Sequence, residues 1–160
     1  MPTRDSAHFN AMLNEKLGAS GLRATRKREL IYGILLESTD HPTADEVYAR
    51  AKSDIPSISL ATVYNCLVTL ARCDLVKPVN FERDPTRYCP NLKEHAHFHD
   101  IESGRVYDVD LDPGTVARLH EILPAGFEAA SIDITFRGAA KARRSSGRLA
   151  RAATADGAST

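Results

Sequence analysis

The sequence has no tryptophan, and only 6 % of its residues are aromatic. It has three cysteines, an odd number at irregular spacing, so a reducing compartment with free thiols is the default. Its longest apolar run, LIYGILL at residues 30–36, is far too short to span a bilayer. No basic segment followed by an apolar run opens the chain, as it would in a secretory signal. A cytoplasmic protein with no membrane partner is expected. No His-Glu-x-x-His, glycine-rich phosphate loop or nucleophile elbow occurs, and these absences argue against an enzyme.

The 160 residues suffice for one ordinary domain or two small ones, and an apolar fraction of 42 % allows a packed core. The formal charge is zero but unevenly spread: residues 1–83 sum to +1, residues 84–136 to −6 and residues 137–160 to +5. An acidic middle beside a basic end argues for segmentation, and not by itself for nucleic-acid binding.

Residues 6–18 read as a helix, with Phe9, Met12, Leu13 and Leu17 at helical spacing and Gly18 placed to stop it. A second helix follows Thr25 as N-cap and carries a stripe of Leu30, Ile31, Ile34 and Leu35, with Pro42 ending the segment. Thr43 and Glu46 form a capping-box signature for a third. Ser59 caps a fourth, whose Leu60, Val63, Leu67 and Leu70 face a core while Thr62, Asn65, Thr69 and Arg72 lie elsewhere. Then LVKPVNF and TRYCPN, separated by ERDP, read as a hairpin. Helices followed by a small hairpin suggest a winged helix-turn-helix. Beyond it, HAHFHDIESGRVYDVDL reads as a second hairpin with a Ser-Gly turn, PGTVARLHEIL as a helix and ASIDITF as a strand. The segment from Gly138 onward is rich in Ala, Arg, Ser and Gly with little to bury, and reads mostly as a disordered basic tail.

Two constellations carry chemistry. On the fourth helix, Ser59, Thr62, Tyr64 and Asn65 are small, polar or aromatic residues near the N-terminus, which suits base edges in a major groove. RATRKR supplies Arg23, Arg26, Lys27 and Arg28 for phosphates. Such a cluster can also be a plain solvated face, but the winged pattern beside it favours DNA. The second is Cys89 with His95 and His97. Alternate residues of a strand share a face, so the two imidazoles point the same way, His99 would continue the row, and Cys89 can approach from the preceding strand. A thiolate with two imidazoles suits zinc, and one more ligand is required. The bland alternative is surface histidines that do nothing. Cys66 and Cys73, seven residues apart, suit core packing. Glu94 adjoins His95 but should face the other side of the sheet, which weakens a catalytic-zinc reading.

GLRATRKRELIYGIL, HPTADEVYARAK, ISLATVYNCLVTLARCDLV and HAHFHDIESGRVYDV, in this order from about residue 20 to residue 137, resemble the ferric uptake regulator (Fur) superfamily. The resemblance implies an α+β fold: an N-terminal winged helix-turn-helix at residues 1–84, a hinge at 85–92, a C-terminal α/β dimerisation domain at 93–138 and the basic tail at 139–160. It implies a homodimer that binds double-stranded operator DNA when metal occupies the hinge, usually to repress. The family's DNA-contacting positions fall on Arg23, Arg28, Tyr64 and Asn65, beside Thr62 from the helix reading. Its regulatory metal positions fall on His41, His95, His97 and Asp108.

Cys89 stands where iron and peroxide regulators carry a carboxylate, and in this it resembles the zinc uptake regulators (Zur). One Zn²⁺ per subunit is therefore expected, with His41 and Asp108 in competition as the fourth ligand. Fe²⁺ or Mn²⁺ in the same pocket, in an iron- or peroxide-responsive regulator, is the alternative. The chain departs from the family in one large respect. Most members hold a structural zinc with two Cys-x-x-Cys pairs, and here those positions fall on Asp100, Ser103 and the region from Ala139 onward, so no four-cysteine structural zinc is expected. A further metal site of some members is doubtful, because Ala96 and Ile132 cannot ligate. Arg143, Arg144, Arg148 and Arg151 in the tail can touch phosphates or simply be solvated, and solvation is favoured.

Overall fold

A computed structural model of the chain describes residues 4–139 and 141. The tail arginines named above, and the expectation of disorder there, lie outside the described residues. Two compact units divide between Leu92 and Lys93, and Arg87–Cys89 of the expected hinge is paired into the first of them.

In the first unit, helices α1 (Arg4–Ala19), α2 (Arg26–Glu37), α3 (Ala44–Ala51) and α4 (Leu60–Arg72) precede strands β1 (Lys77–Val79) and β2 (Arg87–Cys89). The caps are those expected from sequence. Thr25 accepts from the Arg28 amide and Ser59 from the Thr62 amide. Thr43 and Glu46 exchange both bonds of a capping box. The stop of α1 differs from expectation. Gly18 lies inside the helix, while Gly21, at φ +71°, supplies the left-handed residue of a Schellman turn. The Leu22 amide donates back to Leu17 and the Gly21 amide to Gly18.

The apolar stripes meet in one core. Leu13, Leu17, Ile31, Leu35, Val47, Val63, Leu67 and Leu70 are fully buried, and Phe9, Met12, Leu30 and Ile34 pack partly against them. Cys66 and Cys73 are buried thiols at its margin, and none of the three cysteines forms a disulfide. β1 and β2 form the antiparallel wing, Lys77 opposite Cys89.

The second unit is a three-stranded sheet ordered β4-β3-β5, from β3 (His95–Asp100), β4 (Val106–Asp110) and β5 (Thr135–Gly138), with α5 (Pro113–Glu121) between β4 and β5. β3 and β4 form the expected hairpin, with Gly104 at φ +71° in its Ser-Gly turn. β5 joins β3 in parallel and starts later than the alternating run suggested. Its register sets Thr135 opposite His97, so residues before Asp133 run past the start of β3. Among the described residues, no helix is long and apolar enough to cross a membrane.

Candidate metal centre and nucleic-acid face

His41 and Cys89 are brought together inside the first unit by backbone pairing. Thr43 forms an antiparallel bridge with Arg87, and the Tyr88 amide donates to the Pro42 carbonyl at 3.1 Å. Pro42 and Tyr88, the chain neighbours of His41 and Cys89, are thereby held side by side. Their ligand atoms lie within 4.8 Å of each other, and both residues are buried. His41 reaches this place only in the left-handed region, at φ +49°, immediately before a proline. That conformation costs about 1–2 kcal/mol for a residue with a Cβ and is concentrated at functional positions.

His95, His97 and Asp108 converge inside the second unit. The two histidines share a face of β3, and the β3–β4 register sets Asp108 directly opposite His97. Their Nε2 atoms are 3.0 Å apart, and Asp108 Oδ1 lies 3.3 Å from the first and 3.6 Å from the second. Nδ1 of His95 lies 2.6 Å from the Lys93 carbonyl. A carbonyl only accepts, so Nδ1 carries the proton and donates. In the neutral ring this leaves the Nε2 lone pair facing His97 and Asp108, the tautomer a metal ligand needs. Donors bound to one tetrahedral ion at roughly 2.1 Å sit about 3.4 Å apart, and the observed separations bracket that value. The residues therefore fit a divalent cation. The Lys93 carbonyl as a ring-orienting partner was not visible in the sequence.

His99 and Asp100 are buried. The Asp100 carboxylate accepts from the Glu102 amide and the Ser103 hydroxyl, bonds that brace the β3–β4 turn.

The expected DNA residues lie in the first unit. Tyr64 is 44 % exposed and Asn65 is exposed, on the side of α4 away from the buried Val63, Cys66, Leu67 and Leu70. Val68, absent from the sequence-based set, is also exposed, one turn beyond Tyr64. The Thr62 hydroxyl is engaged by the cap, 2.9 Å from that of Ser59. Arg23 is exposed, whereas Arg28 is half-buried and donates to the Arg23 carbonyl at 2.6 Å, bracing the approach to α2. Burial pushes the Cys66 thiol up, against the opposing charges of Arg28 and Lys27, which sets those cations beside α4.

The class the fold defines is a winged helix with an exposed polar helix face joined to a second α/β unit, each carrying side chains able to hold a metal ion. The family model described as "Ferric uptake regulator family" matches residues 19–137, and the chain belongs to that family, whose members are metal-binding, DNA-binding repressors and not enzymes. A peroxide-responsive repressor of Staphylococcus aureus (strain Mu50 / ATCC 700699) is 35 % identical over 92 residues, 58 % of this chain and 62 % of the relative's length. Among solved structures, the Campylobacter jejuni peroxide stress regulator is 26 % identical, with a TM-score of 0.64 over 84 % of this chain and 96 % of that one. The Helicobacter pylori ferric uptake regulator, 20 % identical, shares the fold with a TM-score of 0.72 over 85 % and 91 %.

Proposed function

We propose that the chain is a metal-responsive transcriptional repressor that binds double-stranded operator DNA as a homodimer. One regulatory zinc per subunit is held by Cys89, His95, His97 and His41, with Asp108 competing with His41 for the fourth place. The observation that carries the metal is the donor set. Nε2 of His95 and His97 and the Asp108 oxygen crowd to between 3.0 and 3.6 Å, and the ligand atoms of His41 and Cys89 lie within 4.8 Å of each other. Thiolate beside imidazole favours zinc over the harder divalent ions.

His41 and Cys89 belong to the unit that carries α4, and the other ligands to the unit beyond Leu92. An ion shared by both sets restricts their relative motion. It shifts the population of operator-competent molecules only by its differential affinity for the two arrangements. The homodimer is supported by the second unit's surface. Ile101, Ile122, Phe127 and Phe136 are exposed, while Ala96, Val106 and Val116 are the apolar residues it buries among the described residues. This surplus of apolar surface suits a second copy. Asp100 and Ser103 satisfy each other where the family's first cysteine pair would fall, which supports a fold without the structural zinc.

A second reading is favoured by one observation. The Asp108 carboxylate addresses both strand imidazoles, and oxygen–nitrogen donors suit Fe²⁺ or Mn²⁺ in an iron- or peroxide-responsive regulator. The test is metal titration of the purified protein, with binding to duplex DNA selected from a randomised pool in the presence of zinc. Cys89→Ala should weaken zinc binding by more than about tenfold and remove zinc-dependent DNA binding, with the fold kept. Unchanged zinc and DNA affinity would exclude the assignment. Oxygen added to His95 or His97 after anaerobic Fe²⁺ loading and peroxide, read by mass, would favour the second reading.

A further inference from the structure

The segment that carries His41 is strapped to β2 by one side chain. The Arg87 side chain is only 13 % exposed. Its Nη1 donates to the His41 carbonyl at 3.2 Å, and its Nε to Asp84 Oδ2 at 3.1 Å. Its Nη1 also lies 3.7 Å from Glu46 Oε2, the oxygen that accepts the Thr43 amide in the α3 capping box. A guanidinium this shielded from water requires charge partners, and two carboxylates provide them. Its fork presents several donors in fixed directions, so one side chain can hold a carbonyl and a carboxylate together.

The strap has something to hold. At φ +49° before Pro42, His41 occupies a conformation that the chain left to itself would leave. The His41 carbonyl belongs to the peptide joining it to Pro42, so the Arg87 bond fixes the orientation of that peptide and, with it, the left-handed turn. The bridge of Thr43 to Arg87 and the bond from Tyr88 to Pro42 then set the distance. Arg87 adjoins neither the imidazole nor the thiol in sequence, yet it bonds the backbone of one candidate ligand and stands two residues before the other.

We infer that Arg87 is a positioning residue for metal binding: it holds His41 in the strained turn that faces Cys89, and so preorganises the histidine arm of the site before any ion arrives. This rests on the reading of His41 as a ligand. The same strap joins the His41 turn to the N-terminus of α3, which packs on α4, so a displaced arm also disturbs the unit that meets DNA.

The test is titration of the chelator-treated full chain with Co²⁺, followed by its d–d and thiolate-to-metal charge-transfer bands. The variants are Arg87→Lys, Arg87→Met, His41→Ala and the double variant R87K/H41A. Lysine keeps the cation and cannot reproduce the fork, so R87K reports even where R87M fails to fold. R87K should weaken Co²⁺ binding about 10- to 100-fold, the range for partners that orient a ligand. In the H41A background the same substitution should cost nothing further, because there is no arm left to position. A merely structural arginine would lower the urea midpoint and leave both affinities alone, or lower them by equal factors. Wild-type Co²⁺ affinity in R87K, or an equal loss with and without His41, overturns the inference while the site stands. Wild-type affinity in H41A removes the ligand assignment itself, and the inference with it.

Discussion

The strained turn makes a prediction in which stability and metal binding part company. Consider His41→Ala and His41→Gly in the metal-stripped protein. Both remove the same buried imidazole, so loss of its packing cancels in the comparison. What remains is backbone. Alanine at φ +49° pays about 1–2 kcal/mol for its Cβ in the left-handed region, and glycine pays none. Against this, glycine loses about 0.5–1 kcal/mol more conformational entropy on folding. The following proline restricts alanine further. The difference leaves H41G more stable than H41A by about 1 kcal/mol, the reverse of the order at an ordinary position.

The assay is urea unfolding in chelator, followed by helical circular dichroism, since α1 to α4 belong to the first unit. The midpoint should be higher for glycine with an unchanged slope. Both variants should lose metal affinity equally, because neither has a ring. A glycine variant equal to or less stable than the alanine variant would refute the claim that the fold bears strain at His41.

Two further predictions concern the flanks of the site. Desolvation pushes the Asp40 carboxyl up, but the hydrogen bond and charge of Arg50 outweigh it and hold its pKa below the ordinary value. The stabilisation is therefore present above the unfolded carboxylate's pKa of about 3.9 and is lost as pH falls through the lower folded value. Both side chains are more than a third exposed, so Asp40→Asn should cost no more than about 1 kcal/mol at pH 7, and urea midpoints should show the deficit vanishing in strong acid. Tyr64→Ala should leave the urea midpoint within about 0.5 kcal/mol, as expected for an exposed side chain, and weaken binding to the selected duplex about tenfold; undiminished DNA affinity would remove Tyr64 from the interface.

Much of the fold was legible because its signals are local. Thr25, Thr43 and Ser59 cap helices by accepting amides three residues away, a geometry that any chain with those spacings can form. The stripes of α2 and α4 bury Ile31, Leu35, Val63, Leu67 and Leu70, while Leu30, Ile34 and Leu60 at their edges stay half-exposed. His95 and His97 share a face because strands alternate. Misreadings arose where a local signal competed with another. Gly18 looked like a stop, but Gly21 was the glycine whose position closed a Schellman turn. The start of β5 depended on where β3 begins, which the alternation in ASIDITF does not record.

Residue identities alone thus offered the kinds of donor atom and marked the helix caps and most of the binary pattern, since these depend on side-chain type and near-neighbour spacing. Tertiary structure decided the rest, because it required groups distant in the chain to meet. Asp108 became a partner of both imidazoles through the β3–β4 register. His41 came to face Cys89 only through a left-handed turn held by a bond between residues 46 apart in sequence. Arg87 carried no signal in the sequence, and only the fold set its largely shielded guanidinium beside two carboxylates and a carbonyl.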